Sequence, residues 1–200
     1  MSPALLLAAA FLSTAPVPLV DVAQAIPDAV VQLRYASEDN FLRRRVYPAK
    51  ARCLLRAEAV EKLANAARAL RVQGFRLLLY DCYRPPSVQQ VMWAAYPRRG
   101  YVADPARGGS VHSRGGAVDV GLLALDGSAV PLPTPHDFFG RPAWHGAPGT
   151  PPAAARNRER LLAAMEAAGF KRNRMEWWHY EVLGSAGWPR VEVPLEGEGR

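Results

Sequence analysis

Three short apolar segments rich in β-forming residues constrain the fold of this chain more than any other feature. They are FRLLLYDCY at 75–83, AVDVGLLAL at 117–125 and EWWHYEVL at 176–183. Each is long enough for one strand, and glycine-rich loops or segments of helical periodicity separate them. Because helices and strands alternate irregularly, the sequence predicts an α+β fold rather than a doubly wound parallel sheet.

The segments around these strands carry the start and stop signals of helices. Helices are predicted at 56–73, 87–96 and 156–170. Gly74 fits a left-handed C-terminal cap, the third helix is expected to end at Gly169, and Ser87 is the expected N-cap of the second helix. Long loops are expected at 98–116, which is rich in glycine, and at 131–152, which is rich in proline. A loop as long as the second is usually functional or mobile.

The N-terminal residues 1–20 are predicted to be an export signal or an N-terminal extension, followed by a single domain over 21–200. The apolar run from Leu5 to Leu12 is too short to cross a bilayer, so stable membrane insertion is not expected. Ala15 and Ala25 each end a small-residue stretch suited to signal peptidase. No Lys or Arg precedes the apolar run, which keeps a plain extension as the alternative. The expected location is periplasmic or secreted, with the cytoplasm as the alternative.

The chain has two cysteines, Cys53 and Cys82, and neither belongs to a CxxC pair. The sequence therefore gives no support to a cysteine-based zinc site. In an exported protein the two are expected to form a disulfide, and in the cytosol they are expected to be two buried thiols.

The net charge of +7 does not by itself indicate a nucleic-acid partner. Three of the 25 basic residues are lysines, and the arginines are scattered through predicted helices and loops instead of forming a stripe. No nucleic-acid binding is predicted from this pattern.

The histidines and nearby carboxylates are the candidates for chemistry. His112 and Asp119 flank a glycine pair in SVHSRGGAVDV, and Glu176 and His179 lie in EWWHY. Two histidines and one carboxylate match the protein ligands of a catalytic metal, and Glu176 would then be a base. Positions three apart on a regular strand face opposite sides, so Glu176 and His179 share a site only if the strand bends or bulges between them. The alternative is a set of hydrogen-bonded core residues on aromatic strands.

Five segments in order resemble the zinc D-alanyl-D-alanine dipeptidases, which include the vancomycin-resistance dipeptidases and have a hedgehog-like fold. The two strongest are SVHSRGGAVDVGL and EWWHY. The others are VVQLRYASEDNFLRRRVYP at 30–48, YDCYRP at 80–85 and PTPHDFFG at 133–140. The resemblance implies a central, mostly antiparallel sheet flanked by helices. It also implies hydrolysis of the dipeptide D-Ala-D-Ala into two D-alanines.

The resemblance further implies a role for each matched residue. One zinc ion per chain would be held by His112, Asp119 and His179, and Glu176 would be the general base that activates water. Arg84 would stabilise the oxyanion of the tetrahedral intermediate, with Asp81 orienting it. The substrate-binding residues would be Ser110, Asp137 and Tyr35, the first two contacting the free α-ammonium of a small D,D-dipeptide. The oligomeric state stays open.

Two histidines fall outside this assignment. His136 stands where the family often has an apolar residue, and we interpret it as a solvent-exposed loop histidine, with a pocket residue as the alternative. His145, in AWHG, is also interpreted as a loop residue.

Two other functions remain to be weighed. A zinc D,D- or L,D-carboxypeptidase acting on peptidoglycan stem peptides is the nearest, but its substrate has no free ammonium beside the scissile bond for Asp137 and Ser110 to bind. A non-catalytic, zinc-stabilised binding protein is the second, and the presence of Glu176 and Arg84 argues against it.

Overall fold

The computed structural model describes residues 18–196, and the N-terminal segment before Leu19 therefore lies largely outside the described residues. The helices are α1 (Val22–Ala25), α2 (Ala57–Val72), α3 (Pro86–Ala95) and α4 (Pro152–Ala167). The strands are β1 (Leu19–Asp21), β2 (Val30–Val31), β3 (Leu54–Arg56), β4 (Phe75–Asp81), β5 (Ala117–Ala124), β6 (Phe170–Asn173) and β7 (Glu176–Val182). Strand β1 begins inside the segment 1–20 that the sequence assigns to an export signal or extension.

A mixed five-stranded sheet in the order β2-β4-β5-β7-β6 forms the centre of the fold. Strand β2 pairs with β4 in parallel, and the other three pairings are antiparallel. Strands β1 and β3 form a separate antiparallel pair. Helices α2 and α4 contact each other, and α2 also packs on β4. The predicted α+β fold with a mostly antiparallel sheet is confirmed.

Helices α2, α3 and α4 lie where the sequence predicts helices, but α3 and α4 begin earlier than predicted. The face of α2 that carries Leu63 and Leu70 is buried, and Gly74 adopts the left-handed conformation expected of the C-terminal cap, with φ of 90°. Ser87 is not an N-cap, because α3 begins one residue earlier at Pro86. Helix α4 likewise begins at Pro152, before the predicted start. Proline at the first helical position presets φ and lacks a donor that would otherwise be unpaired.

A disulfide joins Cys53 and Cys82, whose Cα atoms are 5.2 Å apart. Cys53 precedes β3 and Cys82 follows β4, so the bond ties the two-stranded pair to the central sheet. Of the two alternatives that the sequence left open, the structure has the disulfide. In the segment from residue 18 to residue 196, no helix combines the length and apolarity needed to cross a membrane.

Candidate metal centre and active site

A cavity of about 220 Å³ opens where β5 and β7 run side by side. Eight of the nine residues that the sequence singled out line it. These are Tyr35, Arg84, Ser110, His112, Asp119, Asp137, Glu176 and His179. The ninth, Asp81, is fully buried behind Arg84. The structure therefore brings together side chains that are up to 144 positions apart in the sequence (179 minus 35).

The sheet register places the three candidate metal ligands next to one another. Asp119 of β5 lies directly opposite His179 of β7 in the antiparallel pairing. His112 lies on a short 3₁₀ turn just before β5, and Gly115 ends that turn with φ of 67°, a conformation that glycine adopts readily. The tight turn brings the His112 ring back toward the start of β5.

Strand β7 is irregular between Glu176 and His179. Such an irregularity is required if both side chains are to face the same site. Tyr180 pairs with Arg172 of β6, but the next pair along β6 joins Asn173 to Glu176. Three residues of β7 therefore have no partner on β6, and the alternation of side chains is broken. Both Glu176 and His179 consequently face the cavity.

The ligand atoms of His112, Asp119 and His179 all lie within 4.8 Å of one another. His112 Nε2 is 3.2 Å from His179 Nδ1. Asp119 Oδ1 is 3.3 Å from the first nitrogen and 2.9 Å from the second. Tetrahedral ligands at bond lengths of about 2.0–2.1 Å are roughly 3.3 Å apart, so this spacing fits a zinc-sized ion.

Hydrogen bonds on the far side of each ring orient both histidines toward the cluster. His112 Nδ1 is 2.6 Å from the Cys82 carbonyl oxygen, so we assign the proton to this nitrogen. His179 Nε2 is 3.2 Å from Glu181 Oε1 and is assigned the proton in the same way. The lone pairs of His112 Nε2 and His179 Nδ1 are then directed at a shared point, as in carboxylate–histidine–metal arrangements.

The charge state of Asp119 also suits a metal ligand. Burial raises the pKa of this carboxyl, but the neighbouring imidazoles of His112, His136 and His179 lower it more, to well below its ordinary value. Asp119 is therefore an anion at any pH near neutrality and supplies the negative charge that a divalent cation requires.

The pKa of Glu176 is shifted in the opposite direction, upward. Burial raises its pKa to about 8; Asp119 and Asp137 contribute in the same direction, and His179 opposes them. Asn173 Nδ2 donates a hydrogen bond of 2.8 Å to Glu176 Oε2, which fixes the orientation of the carboxyl group. A buried carboxyl with a pKa near neutrality is suited to accept and return a proton.

The raised pKa of Glu176 predicts a stability effect in metal-free protein. Its folded-state pKa of about 8 exceeds an unfolded value of about 4.3, so ionisation disfavours folding increasingly between these pH values. Replacing Glu176 with Gln removes this effect. We expect metal-free Glu176→Gln to melt roughly 5 °C or more above metal-free wild type at about pH 8.5, and at nearly the same temperature near pH 4.5. Thermal unfolding followed by circular dichroism measures this, and equal melting temperatures at both pH values would contradict the assignment.

Arg84 is buried at the cavity wall and held by two side chains. Its Nε and Nη2 donate to Asp81 Oδ2 at 3.0 and 2.6 Å, and its Nη1 donates to Gln89 Oε1 at 2.8 Å. Asp81 in turn accepts a 2.7 Å hydrogen bond from the Tyr47 hydroxyl. Burial lowers the pKa of Arg84, but the Asp81 carboxylate raises it well above its ordinary value. Arg84 is thus a fixed cation.

Asp137 provides a further carboxyl group in the cavity. It adopts φ of 63°, unusual for a residue with a side chain. Tyr35 donates its hydroxyl to Asp137 Oδ1 at 3.0 Å, and the Phe41 N–H donates to Oδ2 at 3.3 Å. Burial raises the pKa of Asp137 above its ordinary value. Ser110 Oγ accepts from the His112 backbone N–H at 3.2 Å.

The interpretation of His136 as solvent-exposed is wrong. Its side chain is 4% exposed, and Nε2 lies 3.1 Å from Asp119 Oδ2. The proline-rich loop folds over the site instead of projecting into solvent, which the loop's composition does not reveal. His145 lies in the same loop, as expected, and outside the metal cluster.

Residue-by-residue inspection of the sequence missed the partners that orient the site. These are Glu181 beside His179, Asn173 beside Glu176, and Gln89 and Tyr47 around Arg84 and Asp81. Glu181 could have been found from the sequence, because it lies two positions after His179 and residues two apart on a strand face the same side. Gln89 lies five positions after Arg84, near the start of α3. Tyr47 had no such signal, since it reaches Asp81 from 34 positions earlier in the chain.

Comparison with known proteins agrees with this geometry. The profile described as D-ala-D-ala dipeptidase matches residues 16–193. The D-alanyl-D-alanine dipeptidase of Escherichia coli is 38% identical over 171 residues, covering 86% of this chain and 88% of the relative. The D-alanyl-D-alanine dipeptidase of Enterococcus faecium is 35% identical over 170 residues, covering 74% and 82%. That of Enterococcus faecalis is 34% identical over 173 residues, covering 75% and 84%. The chain therefore belongs to the D-ala-D-ala dipeptidase family of peptidases.

Proposed function

We propose that this protein is a zinc-dependent dipeptidase that hydrolyses D-Ala-D-Ala into two D-alanines. The observation that carries the proposal is that four kinds of chemical group line one cavity. A two-histidine, one-aspartate metal cluster lies beside a buried carboxyl group, Glu176, a fixed cation, Arg84, and a second carboxylate, Asp137. The names of the relatives support the same substrate.

His112, Asp119 and His179 would hold one zinc ion per chain. Two imidazole nitrogens and one carboxylate oxygen are ligands that zinc prefers, and three protein ligands leave a position free, as catalytic zinc sites do. A bound zinc ion supplies Lewis acidity, polarising a carbonyl group and lowering the pKa of water. Glu181 and the Cys82 carbonyl keep the two histidine rings in the ligating orientation.

Glu176 would accept a proton from the attacking water and donate it to the amine that leaves. Its burial keeps bulk water from competing for that proton, and a carboxyl group held in one orientation can both accept and return it. The bulge in β7 lets this carboxyl group line the same cavity as the metal cluster, which supports this role.

Arg84 would stabilise the negative charge that develops on the carbonyl oxygen. A guanidinium has five N–H donors, and Asp81 and Gln89 occupy three of them, which leaves two for the substrate. Because Asp81 and Gln89 hold the group rigidly, little reorganisation is needed as the charge forms. By analogy with single oxyanion donors, this contribution is about 3–4 kcal/mol.

Asp137 would select substrates with a free α-ammonium, assisted by Ser110 and with Tyr35 holding the carboxylate in place. A buried carboxylate with a raised pKa gains most from a cationic partner. A peptide with an acylated amine at this position offers no such partner, and the Asp137 charge would stay uncompensated.

Zinc-loaded protein assayed on D-Ala-D-Ala, L-Ala-L-Ala and an N-acylated tripeptide ending in D-Ala-D-Ala tests this function. We expect hydrolysis of D-Ala-D-Ala and little hydrolysis of the other two. Asp137→Asn should raise KM for D-Ala-D-Ala by about 10–100-fold, the loss expected for a hydrogen bond to a charged group. Activity on the acylated tripeptide alone would contradict the proposal and indicate a carboxypeptidase.

We also propose that the protein is exported and acts on dipeptide of the cell wall, in the periplasm or outside the cell. The disulfide supports this location, because disulfides persist in oxidising compartments. Of the two candidate cleavage sites, the one after Ala15 leaves β1 intact, and the one after Ala25 would remove β1 and α1. Cell fractionation, with intact mass determined before and after reduction, tests location, cleavage and the disulfide together. Recovery of uncleaved, reduced protein from the cytoplasm would contradict export.

A further inference from the structure

His136 occupies an enclosed position beside the metal cluster without lining the cavity. Its ring centroid is 4.9 Å from that of Tyr80 and 5.3 Å from that of Trp178. Tyr35 contributes a third aromatic ring at 6.1 Å. The three rings restrict the orientation of the imidazole, whose side chain is 4% exposed.

The two nitrogens of His136 face two different carboxylates. Nε2 lies 3.1 Å from Asp119 Oδ2, and Nδ1 lies 3.5 Å from Asp137 Oδ2. The first distance is a hydrogen bond, and the second is an electrostatic contact. The imidazole therefore connects a carboxylate of the metal cluster with Asp137, the carboxylate proposed to bind the substrate amine.

This contact divides the two oxygens of Asp119 between different partners. Oδ1 faces His112 Nε2 and His179 Nδ1, which are the nitrogens of the metal cluster. Oδ2 faces His136. An oxygen that accepts a hydrogen bond from a rigidly held ring is not free to rotate toward a metal, so Asp119 presents one oxygen to the cluster.

We propose that His136 is a positioning residue that holds Asp119 as a one-oxygen ligand and links the metal cluster to Asp137. This inference rests on the proposed function of the same site. Holding one oxygen of Asp119 away preserves the open position that a catalytic zinc site requires, and partners of metal-ligating groups contribute about 10–100-fold to metal affinity or activity.

Three variants of His136 distinguish the effect of losing the hydrogen bond to Asp119 from the effect of losing the ring. Gln places its amide nitrogen near the position of Nε2 and can still donate to Asp119. Asn is shorter and places its nitrogen near Nδ1, where it reaches only toward Asp137. Phe keeps a ring and removes both contacts. Asn and Gln differ by one methylene and share the same polar group, so they are matched controls for each other.

The measurement is zinc affinity by competition with a chromophoric chelator, on soluble protein whose folding is checked by circular dichroism. We expect His136→Phe and His136→Asn to weaken zinc binding by about 10–100-fold, and His136→Gln to remain within about threefold of wild type. Affinity in the Phe or Asn variant equal to wild type would overturn the inference, and so would a Gln variant as weak as Asn.

Steady-state kinetics on D-Ala-D-Ala at saturating zinc test the link to Asp137. The Phe variant, which loses both contacts, should raise KM as well as weaken zinc binding, and an unchanged KM would overturn the link. A wild-type protein that binds zinc tightly but does not hydrolyse D-Ala-D-Ala would contradict the proposed function. The affinity contrast among the variants would still decide whether His136 positions Asp119.

Discussion

Glu176→Gln is expected to lower kcat for D-Ala-D-Ala by about 10³-fold or more while one equivalent of zinc stays bound. Gln has nearly the same shape and can still accept the hydrogen bond from Asn173, but it cannot take a proton from water. Because Glu176 is not among the ligand set, metal binding should not depend on its charge. Steady-state kinetics with zinc quantified in the same preparation measure both quantities.

A matched control is Glu166→Gln, which makes the same chemical change on α4, where the side chain is 47% exposed and outside the cavity. Its kcat should equal that of wild type. Turnover by Glu176→Gln at a rate comparable to wild type would refute the role of Glu176 as general base. In its metal-free form the same variant should also have the higher melting temperature described above, so the substitution does not prevent folding.

His179→Ala should lose stoichiometric zinc and, with it, all measurable hydrolysis. The substitution removes one of three ligands and leaves Asp119 and Glu181 without the ring that lies between them. Two remaining protein ligands do not form the three-ligand set of a catalytic zinc site. Metal analysis after dialysis against buffer that contains no zinc measures the bound equivalent.

His145→Ala is the control for this loss, because it removes a histidine from the proline-rich loop that has no place in the cluster. This variant should retain one equivalent of zinc. A full equivalent in His179→Ala would show that His179 is not a ligand, whatever its position in the structure.

The sequence was informative where a local pattern determines structure. The apolar face of α2, with Leu63 and Leu70, follows from helical periodicity, and it is buried as predicted. The required break in β7 also followed from local geometry, because Glu176 and His179 are three positions apart. The residues that define the metal cluster were found through the resemblance of whole segments, since the spacing of His112 and Asp119 alone is common.

What the sequence did not reveal depends on contacts between distant segments. The burial of His136 arises when the proline-rich loop lies on Tyr80 and Trp178, and nothing in the loop's composition encodes those neighbours. Tyr47 likewise reaches Asp81 from a segment 34 positions earlier in the chain. The helix starts at Pro86 and Pro152 were missed for a different reason, since the predicted helices begin at residues 87 and 156, after these prolines.

The most direct test of the account is a zinc titration of metal-free wild-type protein with D-Ala-D-Ala as substrate. The account predicts no hydrolysis without metal, a rate that rises linearly with added zinc, and a break at one equivalent per chain. Undiminished hydrolysis by the metal-free protein would contradict it, as would zinc binding at one equivalent with no hydrolysis of D-Ala-D-Ala.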